Sequence, residues 1–125
     1  MAGFAQARNA LFSGLVGDAS FFDSTDTGSP GSEIDLISET VGAGKKWNLT
    51  RVSINCSMSG KIRVFKDANL IGSGYTSPGN LNFDFSWFPF REAAAGEVVA
   101  VKFTQRSGGP AAEVRSHLQF TEQDA

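Results

Sequence analysis

Cysteine and histidine are almost absent from this chain. Its 125 residues include one of each, Cys56 and His117. No internal disulfide can form, Cys-based zinc sites are excluded, and so is any metal site built on a pair of histidines. Long apolar runs are missing too. None approaches the roughly 18–20 residues that a membrane helix needs, so no membrane partner is expected. Positive charge is not in excess: 11 Lys and Arg stand against 13 Asp and Glu, a net charge of -2. A nucleic-acid partner usually demands a basic face, and none is expected here. The start, Met1 to Asn9, lacks a basic opening, and Arg8 and Asn9 interrupt its apolar stretch, so it does not read as a signal peptide.

Glycine and phenylalanine are plentiful instead, at 14 and 11 residues. The length fits one domain of the usual size, about 100–150 residues. Charge divides the chain unevenly. Residues 1–40 hold six acids and one base, and residues 41–125 hold seven acids and ten bases. The stretch 17–32 is rich in Gly, Ser, Asp, Thr and Pro and reads as loop or extended arm. The expected division is therefore an N-terminal arm over 1–32 and a compact body from 33 onward. Phe4, Leu11, Phe12 and Leu15 fit one helical face, which Gly14 and Gly17 would end early. That segment packs on its own domain, docks on a partner, or frays.

The body alternates. Leu81, Phe83, Phe85 and Trp87 occupy every second position, with Asn82, Asp84 and Ser86 between them. Strand side chains point alternately to two faces, so one face is buried. Val114, Leu118 and Phe120 alternate with polar residues in the same way. Residues 98–104 are apolar on both faces, as in a central strand covered on both sides. Val52, Ile54 and Cys56 keep one parity and Trp47 and Leu49 the other. That slip near Thr50-Arg51 requires a bulge or a strand passing between sheets. Turn residues recur every 8–12 positions, the signature of a β-sandwich or barrel. Seven to eight strands are expected.

Residue types that could carry chemistry lack the required settings. His117 is the sole candidate base and falls on a polar strand face. Cys56 shares a face with Val52 and Ile54 and reads as a small core hydrophobe. Gly44-Lys45 has Glu39 and Lys46 where a phosphate loop needs Gly and Ser or Thr, and Gly72-Ser-Gly74 lacks the third Gly of a dinucleotide fingerprint. No cofactor and no catalytic residue is expected. Asp84 reads as a solvated carboxylate. Asp18, Asp23, Asp26 and Asp35 lack the spacing of a calcium loop. The run Trp87-Phe88-Pro89-Phe90 cannot place every ring in one core, and Pro89 interrupts pairing. Phe88 lies under the arm or a loop, forms a subunit or partner contact, or joins Trp47 or Tyr75 in a sugar platform.

Several segments carry a resemblance: Ala43-Gly-Lys-Lys-Trp47 with Leu49-Thr-Arg-Val52, Ile71-Gly-Ser-Gly74 with Pro78-Gly-Asn80, and Ala95-Gly-Glu-Val-Val99 with Phe103-Thr104. Together they resemble small jelly-roll β-sandwich proteins of tailed-bacteriophage virions. The resemblance covers about 43–120 and rests on turn and core motifs, not catalytic ones. It implies an all-β antiparallel jelly roll with an extended N-terminal arm, and a non-enzymatic virion protein assembled in the bacterial host cytoplasm. Capsid decoration (cement) is the leading role. A neck, collar or tail and fibre-attachment component is the alternative, and a carbohydrate-binding module is a second alternative. The implied partner is the major capsid protein or another virion protein, with the chain a homo-oligomer and a trimer among its forms. Candidate interface residues are Phe4, Leu11, Phe12, Leu15, Phe21, Phe22, Phe88 and Phe90.

Overall fold

Alternation places Phe83, Phe85 and Trp87 of one strand against the core while Asn82, Asp84 and Ser86 face outward. The same logic repeats along the chain of this computed structural model, which describes residues 17–125. Among the described residues there are eight strands and no helix: β1 (Asp18–Thr27), β2 (Glu33–Thr40), β3 (Lys45–Cys56), β4 (Gly60–Lys66), β5 (Asn69–Tyr75), β6 (Asn82–Ala94), β7 (Val98–Gln105) and β8 (Glu113–Asp124).

They form two four-stranded antiparallel sheets, ordered β1-β8-β3-β6 and β2-β7-β4-β5. The order follows from one long hairpin rolled up. β4 and β5 are joined at Asp67, whose φ of 52° an Asp tolerates better than most residues. Outward from that turn, β3 pairs with β6, β2 with β7, and β1 with β8. The β3–β8 and β4–β7 pairings then complete the sheets. This is a jelly-roll sandwich. Its core is built from both inner faces, with Leu49, Val52, Ile54, Val114 and Leu118 on one side and Ile62, Val64, Val99, Val101 and Phe103 on the other.

The parity slip in β3 is a bulge at Thr50, and the strand stays within one sheet. Leu49 pairs with Phe120 of β8 and Arg51 with the adjacent Gln119, so Thr50 has no opposite number there. Trp47 and Leu49 thereby share the inner face with Val52 and Ile54. On the other side the mismatch is larger. Leu49 opposes Arg91 of β6 and Arg51 opposes Ser86, so residues 87–90 stand against Thr50 alone. Ladder pairing cannot absorb that excess, and the run bows outward. Trp87 still turns in, with its Nε1 donating to the Ile71 carbonyl at 2.8 Å, and the Phe88-Pro89 peptide is cis.

Two glycines explain how the aromatic strand closes on the opposite sheet. A Cβ on Gly74 would lie 2.1 Å from the Phe83 ring, and one on Gly72 would lie 3.1 Å from Phe85. The bare β5 backbone leaves room for both rings. Cys56 is buried, as its strand parity predicts, with Sγ 3.3 Å from the Leu81 carbonyl. In β7, Ala100 is buried on the outer face. It lies opposite Phe65, so side chains rather than a third layer provide that cover.

The reading of 17–32 as loop or extended arm needs correction. Residues 18–27 form β1, in register with β8 over its whole length. The segment is polar because it is an edge strand with one wet face. Its inward anchor is Phe22, packed on Trp47 and Phe120 at ring-centre distances of 5.5 and 5.1 Å.

Candidate binding face

The bulge at Thr50 restores the phase of β3, and strand register then assembles the outer face of the β1-β8-β3-β6 sheet into rows. One row reads Asp23, His117, Ser53 and Asp84 across the four strands. Below it run Thr25, Arg115, Asn55 and Asn82, and above it Phe21, Gln119, Arg51 and Ser86. Neighbouring strands lie about 4.8 Å apart, so side chains along a row are in direct reach. The first two of these rows and Arg51 line an open groove of about 670 Å³, and Phe21 and Gln119 line a second pocket on the same face.

Its groups hold one another in place. Arg51 clamps Asp84 with two hydrogen bonds, Nε to Oδ1 at 2.6 Å and Nη2 to Oδ2 at 2.8 Å. Ser53 Oγ donates to the same carboxylate at 2.9 Å. The Arg51 bond holds the Asp84 carboxyl below its ordinary pKa against the opposing effect of burial, with the Ser53 bond and the guanidinium charge adding to it. Asp84 in turn raises Arg51. His117 Nδ1 contacts Asp23 Oδ1, and the imidazole stacks on Phe21 with centroids 5.1 Å apart and planes 25° from parallel. Asn55 Nδ2 donates to Asn82 Oδ1. Arg115 Nη2 reaches Glu113 at 3.3 Å.

The row Asp23–His117–Ser53 contains the three residue types of a hydrolytic triad. Its proton connectivity differs, because the Ser53 hydroxyl is directed to Asp84 rather than to the imidazole. All three groups also lie on one sheet face. Among the described residues, no group of three or more His, Cys, Asp or Glu side chains is placed to hold a metal ion. No helix there is long and apolar enough to cross a membrane.

The proposed interface residues fall in different places. Phe4, Leu11, Phe12 and Leu15 lie outside the described residues. Phe21 is exposed on the outer face, whereas Phe22 is half-buried and serves its own core. Phe88 is 94% exposed at the crest of the β6 bulge, and Phe90 is half-buried. Leu70, 54% exposed, sits beside the backbone that receives the Trp87 indole. Sequence reasoning placed Asp84 and His117 on polar strand faces and missed their partners. Arg51, Asn55 and Asn82 were legible from strand parity alone. Asp23 was not, because β1 was read as loop.

No protein-family model and no curated protein sequence matches the chain. Among solved structures, the insecticidal delta-endotoxin Cry8Ea1 of Bacillus thuringiensis is similar at 13% identity and a TM-score of 0.38. That alignment covers 86% of this chain and 20% of the toxin, so this chain spans about a fifth of that protein. At that distance the likeness says nothing of what this chain binds.

Proposed function

We propose that this protein is a non-enzymatic jelly-roll component of a tailed-phage particle, acting as a capsid decoration protein. The observation that carries the reading is Phe88, a fully presented aromatic ring on a bulge that ladder pairing holds at its base. Leu70, on the edge strand β5, is a second exposed apolar side chain. Apolar surface of this kind marks an interaction site, since a lone domain gains nothing by exposing it. The jelly-roll order of the strands and the motif resemblance support the same reading. The partner is the major capsid protein or another virion protein, and the chain forms a homo-oligomer when it binds.

The test is co-sedimentation of the full-length protein with phage heads stripped of it, followed by imaging of labelled particles. Decoration should cover the head surface and should fall at least tenfold for Phe88→Ala, a loss of about 1.4 kcal/mol. Labelling confined to one vertex or to the tail would move the protein to the neck or tail. Undiminished binding by Phe88→Ala would remove the patch from the contact.

A further inference from the structure

The Phe88 patch lies on the β5–β6 side of the sandwich and leaves the groove across β1, β8, β3 and β6 unassigned. We propose that this groove is a separate binding site for a neutral oligosaccharide. Three properties of the face point to that class of ligand.

The first is charge. Each basic side chain lining the groove is already in contact with a carboxylate: Arg51 with Asp84, His117 with Asp23, and Arg115 with Glu113. A groove compensated in this way offers little net attraction to an anion or a cation. It still offers hydrogen-bonding capacity. A guanidinium has five N–H donors, and Arg51 spends two of them on Asp84. A carboxylate has about four lone-pair sites, and Asp84 receives three bonds. The Asn55–Asn82 pair leaves further amide donors and acceptors at the groove surface.

The second is preorganisation. These groups are planar forks fixed by one another before any ligand arrives. Register sets them on a grid of about 5 Å between strands and about 7 Å along each strand. Ligand hydroxyls, each both donor and acceptor, match an array that alternates donors and acceptors. Fixing the side chains in advance reduces the ordering cost of binding.

The third is an apolar platform. Phe21 is 56% exposed, yet its ring is pinned by stacking on His117. A rigid aromatic beside polar forks suits a ligand that is apolar on the face of its ring and polar at its edge, as a pyranose is.

The experiment is an amide-resolved NMR titration of the full-length protein with neutral gluco-, galacto-, manno- and N-acetylglucosamine oligosaccharides, and with acidic oligosaccharides in parallel. The expected result is saturable shifts for a neutral oligosaccharide, centred on residues 21–25, 51–55, 82–86 and 115–119. Phe21→Ala and Asn82→Ala should each weaken that binding about tenfold, roughly the worth of one well-made contact. Both alter exposed side chains, so an unchanged urea midpoint should accompany the loss. Tyr75→Ala, on the outer face of the other sheet, should leave binding unchanged. The proposal is overturned by no saturable binding across the neutral series, by binding of acidic oligosaccharides only, by full affinity in both Phe21→Ala and Asn82→Ala, or by loss in Tyr75→Ala. Head binding is measured separately, so failure here leaves the decoration reading standing, and the reverse holds too.

Discussion

Gln105 supports a sharp test of how the sandwich is held at one end. It is buried at the last position of β7, where a polar side chain survives only if its amide is satisfied. Both ends are used. Nε2 donates to the Pro110 carbonyl at 2.6 Å, and Oε1 accepts from the Ala112 N–H at 2.8 Å. The side chain thus staples the loop before β8. Gln105→Met keeps the length and removes both bonds. The two losses are unequal. Pro110 is exposed, so water can replace the amide at its carbonyl, but Ala112 is buried and its N–H is left without an acceptor. An orphaned buried donor costs about 1–3 kcal/mol, so the expected destabilisation is about 2 kcal/mol. With a urea slope of roughly 1–3 kcal/mol per molar, the midpoint should fall by about 1 M. Ser57→Ala is the comparison. It removes an exposed bond of the same kind, Ser57 Oγ accepting from Glu113 N at 2.8 Å, and should cost at most about 0.5 kcal/mol. If Gln105→Met costs no more than Ser57→Ala, burial is not what gives the staple its value.

Four further outcomes follow from the packing and the ion pairs. Phe22→Ala should cost about 2–3 kcal/mol in urea unfolding while Phe21→Ala costs under about 0.5, because only Phe22 packs on Trp47 and Phe120; equal effects would show that β1 is not part of the folding unit. Gly74→Ala should lower the stability read from the same unfolding by about 1–3 kcal/mol, since its Cβ would occupy space held by the Phe83 ring. Ser116→Ala should be neutral or stabilising by up to about 1 kcal/mol, because the buried Ser116 hydroxyl has no hydrogen-bond partner among the described residues. Acid titration of stability reads Glu33: its bond to Arg63 holds its carboxyl below the ordinary 4.5. Its contribution is therefore complete above that value and lost as pH falls through the lower folded value, and Glu33→Gln should flatten the acid limb while changing neutral-pH stability little.

Most of the fold was legible because it is written in local alternation. The two-residue period in β6 and β8 assigns each side chain a face without knowledge of any partner. The parity break near Thr50 marked an irregularity for the same reason, and the register decides between its two readings in favour of a bulge. β1 escaped because its composition is that of a turn region. An edge strand wets one face and leaves much of the other only half covered, so Ser24 and Asp26 can take inward positions that a central strand would give to valine. The binding face escaped for a different reason. His117 and Asp23 are 94 residues apart, and only the closure of β1 on β8 brings them together. Parity says which residues share a face. Register says which share a row, and register is fixed by non-local pairing that no short window of sequence contains.

The rolled-up order has a consequence for how the chain is made. Among these eight strands β8 is the last to leave the ribosome, yet it lies between β1 and β3 in its sheet. Until it emerges, β1 has no neighbour to pair with, and β3 is open along one side. Through the synthesis of β2 to β7 the nascent protein therefore carries two strand edges facing a gap that β8 fills. Such edges recruit other chains when they wait too long. Premature termination anywhere before β8 would yield a sheet split down its middle rather than a slightly shortened domain.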